Sequence, residues 1–311
     1  MSSIPLLIDT DPGVDDALAI LMALRHAQHR VVALTIAAGN VGLEHTVRNA
    51  RSLVDIAGSA TPIFPGCPAP LLHAAEDAAF VHGQDGFGDV ALPEPSTRVE
   101  SEHAALAMLR LSHEHAGALT MVMLGPLTNL ALALKLDPTL PGRVPRLLIM
   151  GGAVNLRGNT SVAAEFNVAF DPEAARIVFE NWPQFDLLDW EATLAHPLEF
   201  DDMAAWCAAG GTVGDFYARI SEKTRHWVRS QPFGRHWHSA DGLAMAAALE
   251  PDAIEAAETH AVVVETEGRA CRGATVVDWK DRSGARRQAR IVQRYSQSRY
   301  TALVAMALGA G

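Results

Sequence analysis

The sequence predicts an α/β fold: an open, mostly parallel β-sheet flanked by helices. Short apolar, β-branched segments alternate with longer segments whose apolar residues recur at helical spacing, and this alternation continues to about residue 189. The segments follow one another without a long linker or an internal repeat. Strands separated by helices of this length favour parallel pairing, with helices covering both faces of the sheet.

The elements can be assigned in chain order from this alternation. Strands are predicted at 4–8, 31–36, 119–124, 146–150 and 185–189, and helices at 14–26, 43–57, 104–113, 127–136 and 172–181. The last of these helices follows Asp171 and begins with Pro172, and an aspartate cap followed by a proline indicates a helix start.

The C-terminal third has a different pattern. Residues 200–249 are mainly helical, and predicted strands at 259–264, 274–279 and 287–293 precede a short final helix. Gly284 predicts a turn in a segment that holds six arginines, at 280–299. We therefore expect a small C-terminal antiparallel hairpin with a solvated basic face, within a single domain that spans residues 1–311.

Composition and charge narrow the class of protein. The chain has 49% hydrophobic residues, which is typical of a folded protein, and its 36 acidic and 25 basic residues give a formal charge of −11, which disfavours nucleic acid as a partner. No apolar run reaches the roughly 20 residues that a membrane span requires. The N-terminus lacks a secretory signal, and three scattered cysteines predict no disulfide framework. We expect a cytoplasmic protein.

The strongest chemical signal is the loop after the first strand, Asp9-Thr10-Asp11-Pro12-Gly13-Val14-Asp15-Asp16. It places four carboxylates at the carboxyl end of a strand and the start of a helix, where open parallel sheets bind ligands. Two carboxylates about 4 Å apart repel each other by roughly 4 kcal/mol at an effective dielectric constant near 20. Several together require protonation, wide separation or a cation, and a hard divalent cation is the simplest solution.

Each aspartate alone has a simpler interpretation. A helix cap or a favourable position on the helix dipole stabilises by roughly 0.3 to 1 kcal/mol, but it leaves the repulsion among four carboxylates uncompensated. An EF-hand is excluded by spacing, because with Asp9 as the first position Gly13 stands fifth and Ile20 stands twelfth. Further ligands must therefore come from distant parts of the chain.

The acidic string, followed by Ala17, closely resembles the signature of the nucleoside hydrolase family, the inosine-uridine preferring type. The family's other motifs recur in order: Gly39-Asn40, His82-Gly83, Gly125-Pro126-Leu127-Thr128-Asn129, Met150-Gly151-Gly152, Glu165-Phe166-Asn167, Asp171-Pro172-Glu173-Ala174-Ala175 and Asp241-Gly242-Leu243-Ala244. The resemblance spans about residues 4–260. It implies a Rossmann-like nucleoside hydrolase fold, hydrolysis of ribonucleosides to free base and ribose in nucleoside salvage, and a homodimer or homotetramer.

The resemblance also implies a metal site and a ribose site. The metal is Ca²⁺, and its implied ligands are Asp11, Asp16, Asp241 and the main-chain carbonyl of Leu124. Asp11 is the implied general base toward a metal-activated water. The implied ribose contacts are Asp15 and Asn40 at the 2′-hydroxyl, Asn167 and Asp241 at the 3′-hydroxyl, and Asn159 and Glu165 at the 5′-hydroxyl.

The base side of the site departs from the family pattern. Ala240 stands where well-known relatives carry histidine or tryptophan, so the usual leaving-group acid or stacking partner is missing. The resemblance places His82 on a loop near the leaving base. A cluster of aromatic and histidine side chains at 226–229 and 233–238 precedes Asp241, and within it His236 and His238 are candidate proton donors and Trp237 a candidate base contact.

Two other functions remain open on the sequence alone. Ile8-Asp9-Thr10-Asp11 after an apolar strand resembles the nucleophile motif of haloacid dehalogenase phosphohydrolases, in which Asp9 would attack phosphate with Mg²⁺ bound. Pro12 to Asp16 and the later motifs do not belong to that class. Ala240 also makes a catalytically silent nucleoside or ribose binder conceivable, and turnover distinguishes the binder from the enzyme.

Overall fold

A mixed sheet of eight strands forms the centre of the computed structural model, which describes residues 3–74, 76–231 and 234–310. Its strands are β1 (Ile4–Thr10), β2 (His29–Ile36), β3 (Ile63–Pro65), β4 (Thr120–Met123), β5 (Arg146–Met150), β6 (Phe185–Leu188), β7 (Ile254–His260) and, later in the chain, β10 (Ala289–Tyr295). The order is β3-β2-β1-β4-β5-β6-β10-β7, and every pair is parallel except β10 with β7. A separate antiparallel hairpin joins β8 (Val262–Val264) to β9 (Thr275–Val277).

Helices cover both faces of this sheet. They are α1 (Val14–Arg25), α2 (Leu43–Ile56), α3 (Ala79–His82), α4 (Ala104–Glu114), α5 (Thr128–Leu136), α6 (Phe166–Phe170), α7 (Pro172–Asn181), α8 (Trp190–Leu194), α9 (Phe200–Ala209), α10 (Gly211–Ile220), α11 (Glu222–Arg229), α12 (Ala240–Leu249) and α13 (Gln297–Leu308). Short 3₁₀ turns lie at Leu140–Arg143 and Pro251–Ala253. Within the described ranges, no helix has the length and apolar character that crossing a bilayer requires.

The two layers follow from the alternation of side chains along each strand. In β1, Leu6 and Ile8 pack into the core formed with α1, α12 and α13, whereas Leu7 packs into the core formed with α4, α5 and α7. All three side chains are fully buried. A strand buried on both faces requires a continuous apolar sequence, which is what the first strand has.

The predicted fold class is confirmed, and the differences concern strand bounds and pairing. The three-residue strand β3 was not predicted, and the predicted strand at 259–264 is two strands, since β7 ends at His260 in the main sheet and β8 starts the hairpin at Val262. Gly284 has a positive φ of 66°, as a turn residue would, but it lies between β9 and β10, which belong to different sheets. The small hairpin is therefore β8 with β9.

The topology determines where the site lies. The chain runs from β1 outward through β2 to β3, and then returns to place β4 on the other side of β1. Ligands of open α/β sheets bind beyond the carboxyl ends of the strands at such a reversal. Asp11 follows β1 and Leu124 follows β4 at this point.

Candidate active site

A cavity opens beyond the carboxyl ends of β1, β4 and β5, at the reversal of strand order. Many of the site residues predicted from the sequence line it: Asp15, Asn40, His82, Leu124, Asn159, Glu165, Asn167, Trp237, His238 and Asp241. Asp11 and Asp16 lie directly beneath this lining and are 1% and 0% exposed. The structure therefore brings the separate motifs to one place.

The acidic cluster consists of carboxylates from the two ends of the chain. Ligand oxygens of Asp15, Asp16 and Asp241 all lie within 4.8 Å of one another, and no other group of this kind occurs in the described part of the chain. Burial and then the charge of Asp15 raise the pKa of Asp16 to about 6. Burial and then the charges of Asp15, Asp16 and Asp11 raise the pKa of Asp241 well above its ordinary value. The three oxygens repel one another and fit a hard divalent cation.

Asp11 lies beside this group without belonging to it. Its Oδ2 accepts a hydrogen bond from the Asn40 main-chain N–H at 2.7 Å, and burial followed by the charge of Asp16 raises its pKa well above the ordinary value. A Cβ at Gly39 would approach Oδ2 to 2.1 Å, and one at Gly125 would approach Oδ1 to 2.4 Å. Backbone thus encloses the carboxylate on two sides, which explains both glycines.

Asp16 is held by local hydrogen bonds at the start of α1. Its Oδ1 accepts from Thr10 Oγ1 at 2.5 Å, and its Oδ2 accepts from the Gly13 N–H at 2.9 Å and from Asn40 Nδ2 at 3.0 Å. Asn40 Nδ2 also donates to the Asp11 carbonyl at 3.1 Å. Asn40, expected at the ribose, therefore also braces the two aspartates.

His82 projects from α3 onto the first turn of α1. Its Nδ1 accepts a hydrogen bond from the Val14 N–H at 3.2 Å, so the neutral ring carries its proton on Nε2. Burial lowers the pKa of His82 to about 4. A Cβ at Gly13 would approach His82 Nδ1 to 2.8 Å, so this contact requires glycine. His82 thus offers the cavity an N–H donor while remaining neutral.

The sugar side is formed by the turn that leads into α6. Glu165 caps α6: its Oε1 accepts from the Asn167 N–H at 2.9 Å and its Oε2 from the Gly152 N–H at 2.8 Å, and burial raises its pKa to about 7. Asn167 Nδ2 donates to the Leu124 carbonyl at 2.6 Å, so that carbonyl has a protein partner. Asn159 is exposed, and its Oδ1 accepts from the Phe166 N–H at 2.9 Å.

The two candidate histidines on the base side lie in different surroundings. His238 lines the cavity, its Nδ1 lies 3.3 Å from the Thr193 carbonyl, and burial lowers its pKa. His236 is not among the described cavity-lining residues, and its Nδ1 lies 3.1 Å from Glu199 Oε1. The geometry therefore favours His238 over His236 as a group that contacts the base.

Trp237 is almost fully buried, at 2% exposure, and lines the cavity wall. Backbone hydrogen bonds of 2.8 Å in both directions join it to Leu198, and its ring packs edge-on against Phe200. Its indole N–H has no acceptor among the described residues. The predicted cluster also includes Phe233, which with Pro232 lies outside the described residues.

Some aromatic side chains that line the cavity were not predicted from the sequence. Phe80 is 63% exposed, lines the cavity and packs edge-on against Trp227 with ring centroids 5.8 Å apart. Trp190 and Gln231 also line the cavity, and Ala240 contributes only a methyl group to it. The position of Phe80, two residues before His82, was the signal available in the sequence.

Comparison with known proteins identifies the family. The sequence profile described as inosine-uridine preferring nucleoside hydrolase matches residues 6–302. The chain belongs to this nucleoside hydrolase family. It is a nucleoside N-ribosyl hydrolase that acts on ribonucleosides, in a family that is metal-dependent in general, and the acidic cluster is consistent with that dependence.

Relatives at the level of sequence and structure agree with this assignment. The chain is 37% identical to uridine nucleosidase 1 of Arabidopsis thaliana, over 88% of this chain and 81% of that protein. It is 35% identical to the pyrimidine-specific ribonucleoside hydrolase RihA of Escherichia coli, over 89% of each protein. A solved plant nucleoside hydrolase, the PpNRh1 enzyme, superposes with a TM-score of 0.92 at 30% identity and 99% coverage of both chains.

Family membership also decides between the enzyme classes left open by the sequence. The family match includes the acidic loop and extends beyond the resemblance at 4–260, so the haloacid dehalogenase alternative has no support. Asp9 lies outside the described cavity lining and accepts hydrogen bonds from Thr35 Oγ1 at 2.7 Å and Asn129 Nδ2 at 2.9 Å. Its surroundings are those of a structural carboxyl group rather than of a nucleophile.

Proposed function

We propose that this nucleoside hydrolase cleaves the N-glycosidic bond of ribonucleosides in a Ca²⁺-dependent reaction, with Asp11 as the general base. The main support is that the carboxylates of Asp15, Asp16 and Asp241 lie close together beside Asp11, at the reversal of strand order. Oxygen-only donors suit Ca²⁺. Of this group, Asp16 and Asp241 would hold the ion together with the neighbouring Asp11 and the Leu124 carbonyl, and Asp15 would bind the sugar. The ion, when bound, orients the sugar hydroxyls and lowers the pKa of a water.

Asp11 has the properties that a base in this position needs. A main-chain N–H holds its Oδ2, so the carboxylate has one fixed orientation. Burial and the neighbouring charge raise its pKa in the metal-free site, and a bound cation would favour the ionised carboxylate that accepts a proton. We assign it the removal of the proton from the attacking water, while the new C–O bond forms at the anomeric carbon and the base leaves with the bonding electrons.

The other carboxylates stabilise the reacting sugar. Cleavage builds positive charge on the ribose ring, and a buried anionic site stabilises that charge more than it stabilises a neutral substrate. We assign the 2′-hydroxyl to Asp15 and Asn40, the 3′-hydroxyl to Asn167 and Asp241, and the 5′-hydroxyl to Asn159 and Glu165. The support is that each of these side chains lines the cavity.

The leaving base has two candidate donors. His82, on α3, carries an Nε2–H in its neutral form. His238, in the segment just before α12, also lines the cavity. His236, paired with Glu199, is not assigned a role. Uridine is the first substrate to test, because relatives named uridine nucleosidase and pyrimidine-specific hydrolase share 34% to 37% identity with the chain.

We propose further that residues 1–311 form one cytoplasmic domain that assembles as a homodimer or homotetramer and binds a nucleoside rather than nucleic acid. The shared sheet supports the single domain, because β10 and β7, from the C-terminal part of the chain, complete the sheet that β1 begins. Light scattering of the purified protein tests the assembly, and a monomer at micromolar concentration would contradict it.

The function is tested by incubating the purified protein with a panel of nucleosides and measuring reducing sugar. Release of ribose that is lost after chelation and restored by CaCl₂, but not by MgCl₂, is the expected result. Nucleoside binding without ribose release would instead indicate a catalytically silent binder, the alternative that the missing leaving-group residue at Ala240 suggested. Turnover that survives complete removal of divalent cations would refute the metal-dependent mechanism.

A further inference from the structure

Helix α12 carries Asp241 in its first turn, and the structure shows what holds that turn in place. The N-cap residue Ser239 accepts a hydrogen bond from the Gly242 N–H on its Oγ at 3.2 Å. Its main-chain oxygen accepts from the Leu243 N–H at 3.1 Å. Ser239 therefore fixes the backbone from which the Asp241 side chain projects.

A second donor reaches the same carbonyl from the far end of the chain. Tyr300 lies near the start of α13, is fully buried, and donates its hydroxyl hydrogen to the Ser239 main-chain oxygen at 3.1 Å. α13 packs against both α1 and α12. Those are the two helices whose first turns carry Asp15, Asp16 and Asp241.

Gly242 makes this contact possible. A Cβ at Gly242 would lie 2.7 Å from Ser239 Oγ and 3.1 Å from the Tyr300 hydroxyl oxygen. Such distances are tighter than ordinary van der Waals contact, so only glycine lets Tyr300 approach the first turn this closely. The close packing explains a glycine that follows Asp241 in the sequence motif and has no role of its own in the cavity.

We propose that Tyr300 is a positioning residue for the cation site, an inference that rests on the proposed role of Asp241 as a metal ligand. Like charges within 4.8 Å of one another push the first turn of α12 away from α1. The Tyr300 hydroxyl opposes that movement by holding the Ser239 carbonyl. Oxygen ligands kept close together bind the cation without first being reorganised.

The chain offers a matched control in Tyr295. Tyr295 lies in β10, is 2% exposed, and donates its hydroxyl hydrogen to the Ala246 main-chain oxygen of α12 at 3.0 Å. Tyr295→Phe and Tyr300→Phe therefore each remove one buried hydroxyl that bonds to a main-chain oxygen in or next to the same helix. Only the bond of Tyr300 lies at the end that carries Asp241.

The experiment titrates CaCl₂ into chelator-treated full-length wild type, Tyr300→Phe and Tyr295→Phe by calorimetry, with thermal unfolding recorded for each. We expect Tyr300→Phe to bind Ca²⁺ about fivefold more weakly, the equivalent of one lost hydrogen bond, and Tyr295→Phe to bind it within about twofold of wild type. Both variants lose similar thermal stability. Excess CaCl₂ restores kcat of Tyr300→Phe, and its KM for the nucleoside at saturating CaCl₂ stays unchanged.

Gly242→Ala supplies a second variant, because its methyl group would crowd both Ser239 Oγ and the Tyr300 hydroxyl and so disturb the cap and the tyrosine contact together. It should also weaken Ca²⁺ binding. Wild-type Ca²⁺ affinity in Tyr300→Phe, whatever the result for Gly242→Ala, or an equal loss in Tyr295→Phe, would overturn the role of Tyr300 and leave the proposed function standing. Absence of Ca²⁺ binding to the wild type would overturn the metal site itself, and this inference with it.

Discussion

The two halves of the cavity are built in different ways. On the metal side, short stretches after β1 and β2 supply buried side chains that are fixed by hydrogen bonds of 2.5 to 3.1 Å. On the base side, the cavity lining includes the exposed ring of Phe80 on α3 and the half-buried rings of Trp227 on α11 and of His238. We therefore expect the proposed sugar chemistry to depend on the fixed frame and the preference for a base to depend on the more exposed side chains.

The largest expected effect tests the rigid half. Asp11→Asn keeps the hydrogen bond from Asn40 but cannot accept a proton, so kcat should fall by about 10² to 10⁴. Steady-state assays of ribose release measure it. Circular dichroism should show an unchanged fold.

Asp9→Asn is the matched control for this variant. Its side-chain oxygen can keep both hydrogen bonds, from Thr35 and Asn129, so kcat should stay within about tenfold of wild type. A loss as large as that of Asp11→Asn would mean that the strand end as a whole, rather than one base, is essential.

A smaller effect is expected on the base side. His238→Gln should lower kcat/KM for uridine by roughly 10- to 100-fold, because protonation or hydrogen bonding of a poor leaving group contributes to its departure. Activated aryl ribosides, which leave without help, should be affected less. His236→Gln is the control, because His236 faces Glu199, and it should change neither substrate's rate by more than about twofold. Equal effects on both substrates would remove His238 from the role of donor.

The exposed aromatic ring of Phe80 at the cavity should affect substrate binding more than the catalytic rate. Phe80→Ala removes an exposed ring that packs against Trp227 at the cavity, and KM should rise by roughly three- to tenfold with kcat within about twofold, since stacking contributes about 1 kcal/mol. Leu136→Ala, at a residue 56% exposed and outside the described cavity lining, is the control. A fall in kcat alone would place Phe80 with the rigid half.

The smallest expected effect concerns stability at the amino end of β2, whereas the cavity lies beyond the carboxyl ends of the strands. Burial, then the charges of His26 and Arg146, lower the pKa of His29 from 6.5 to about 4. The unfolded chain therefore binds a proton at this histidine more readily than the folded protein does. The free energy of unfolding keeps its full value above pH 6.5 and decreases as the pH falls toward 4. His29→Asn should remove about 1 kcal/mol of that pH dependence, allowing for solvent screening of a half-buried ring. Urea unfolding at pH 7.5 and 5 measures it. Identical pH dependence in both proteins would contradict the assignment.

Sequence patterns predicted the fold best where local signals were unambiguous. The predicted bounds of β5 and α7 match the structure, because an apolar strand and an aspartate-proline helix start leave little choice. β3 was missed because Ile63–Pro65 is short and ends in proline. The predicted strand at 259–264 is divided because pairing, which the local pattern does not encode, assigns β7 and β8 to different sheets.

The candidate site likewise has features that local sequence predicts and features that depend on tertiary contacts. Four aspartates within eight residues were recognisable from their repulsion alone. By contrast, the pairing of His236 with Glu199 depends on contacts between residues distant in sequence, and so does the placement of Trp190 on the cavity wall. No local pattern carries that information.

The enclosure of Asp11 between Gly39 and Gly125 has a consequence for how this enzyme can diverge or be redesigned. Main chain surrounds this carboxylate so closely that neither glycine can be replaced by a larger residue without moving Asp11. Phe80 on α3 is exposed and Trp227 on α11 is half-buried, so these two side chains have more room for exchange. We therefore expect laboratory evolution to change nucleobase preference more readily through those two side chains than through the residues around Asp11.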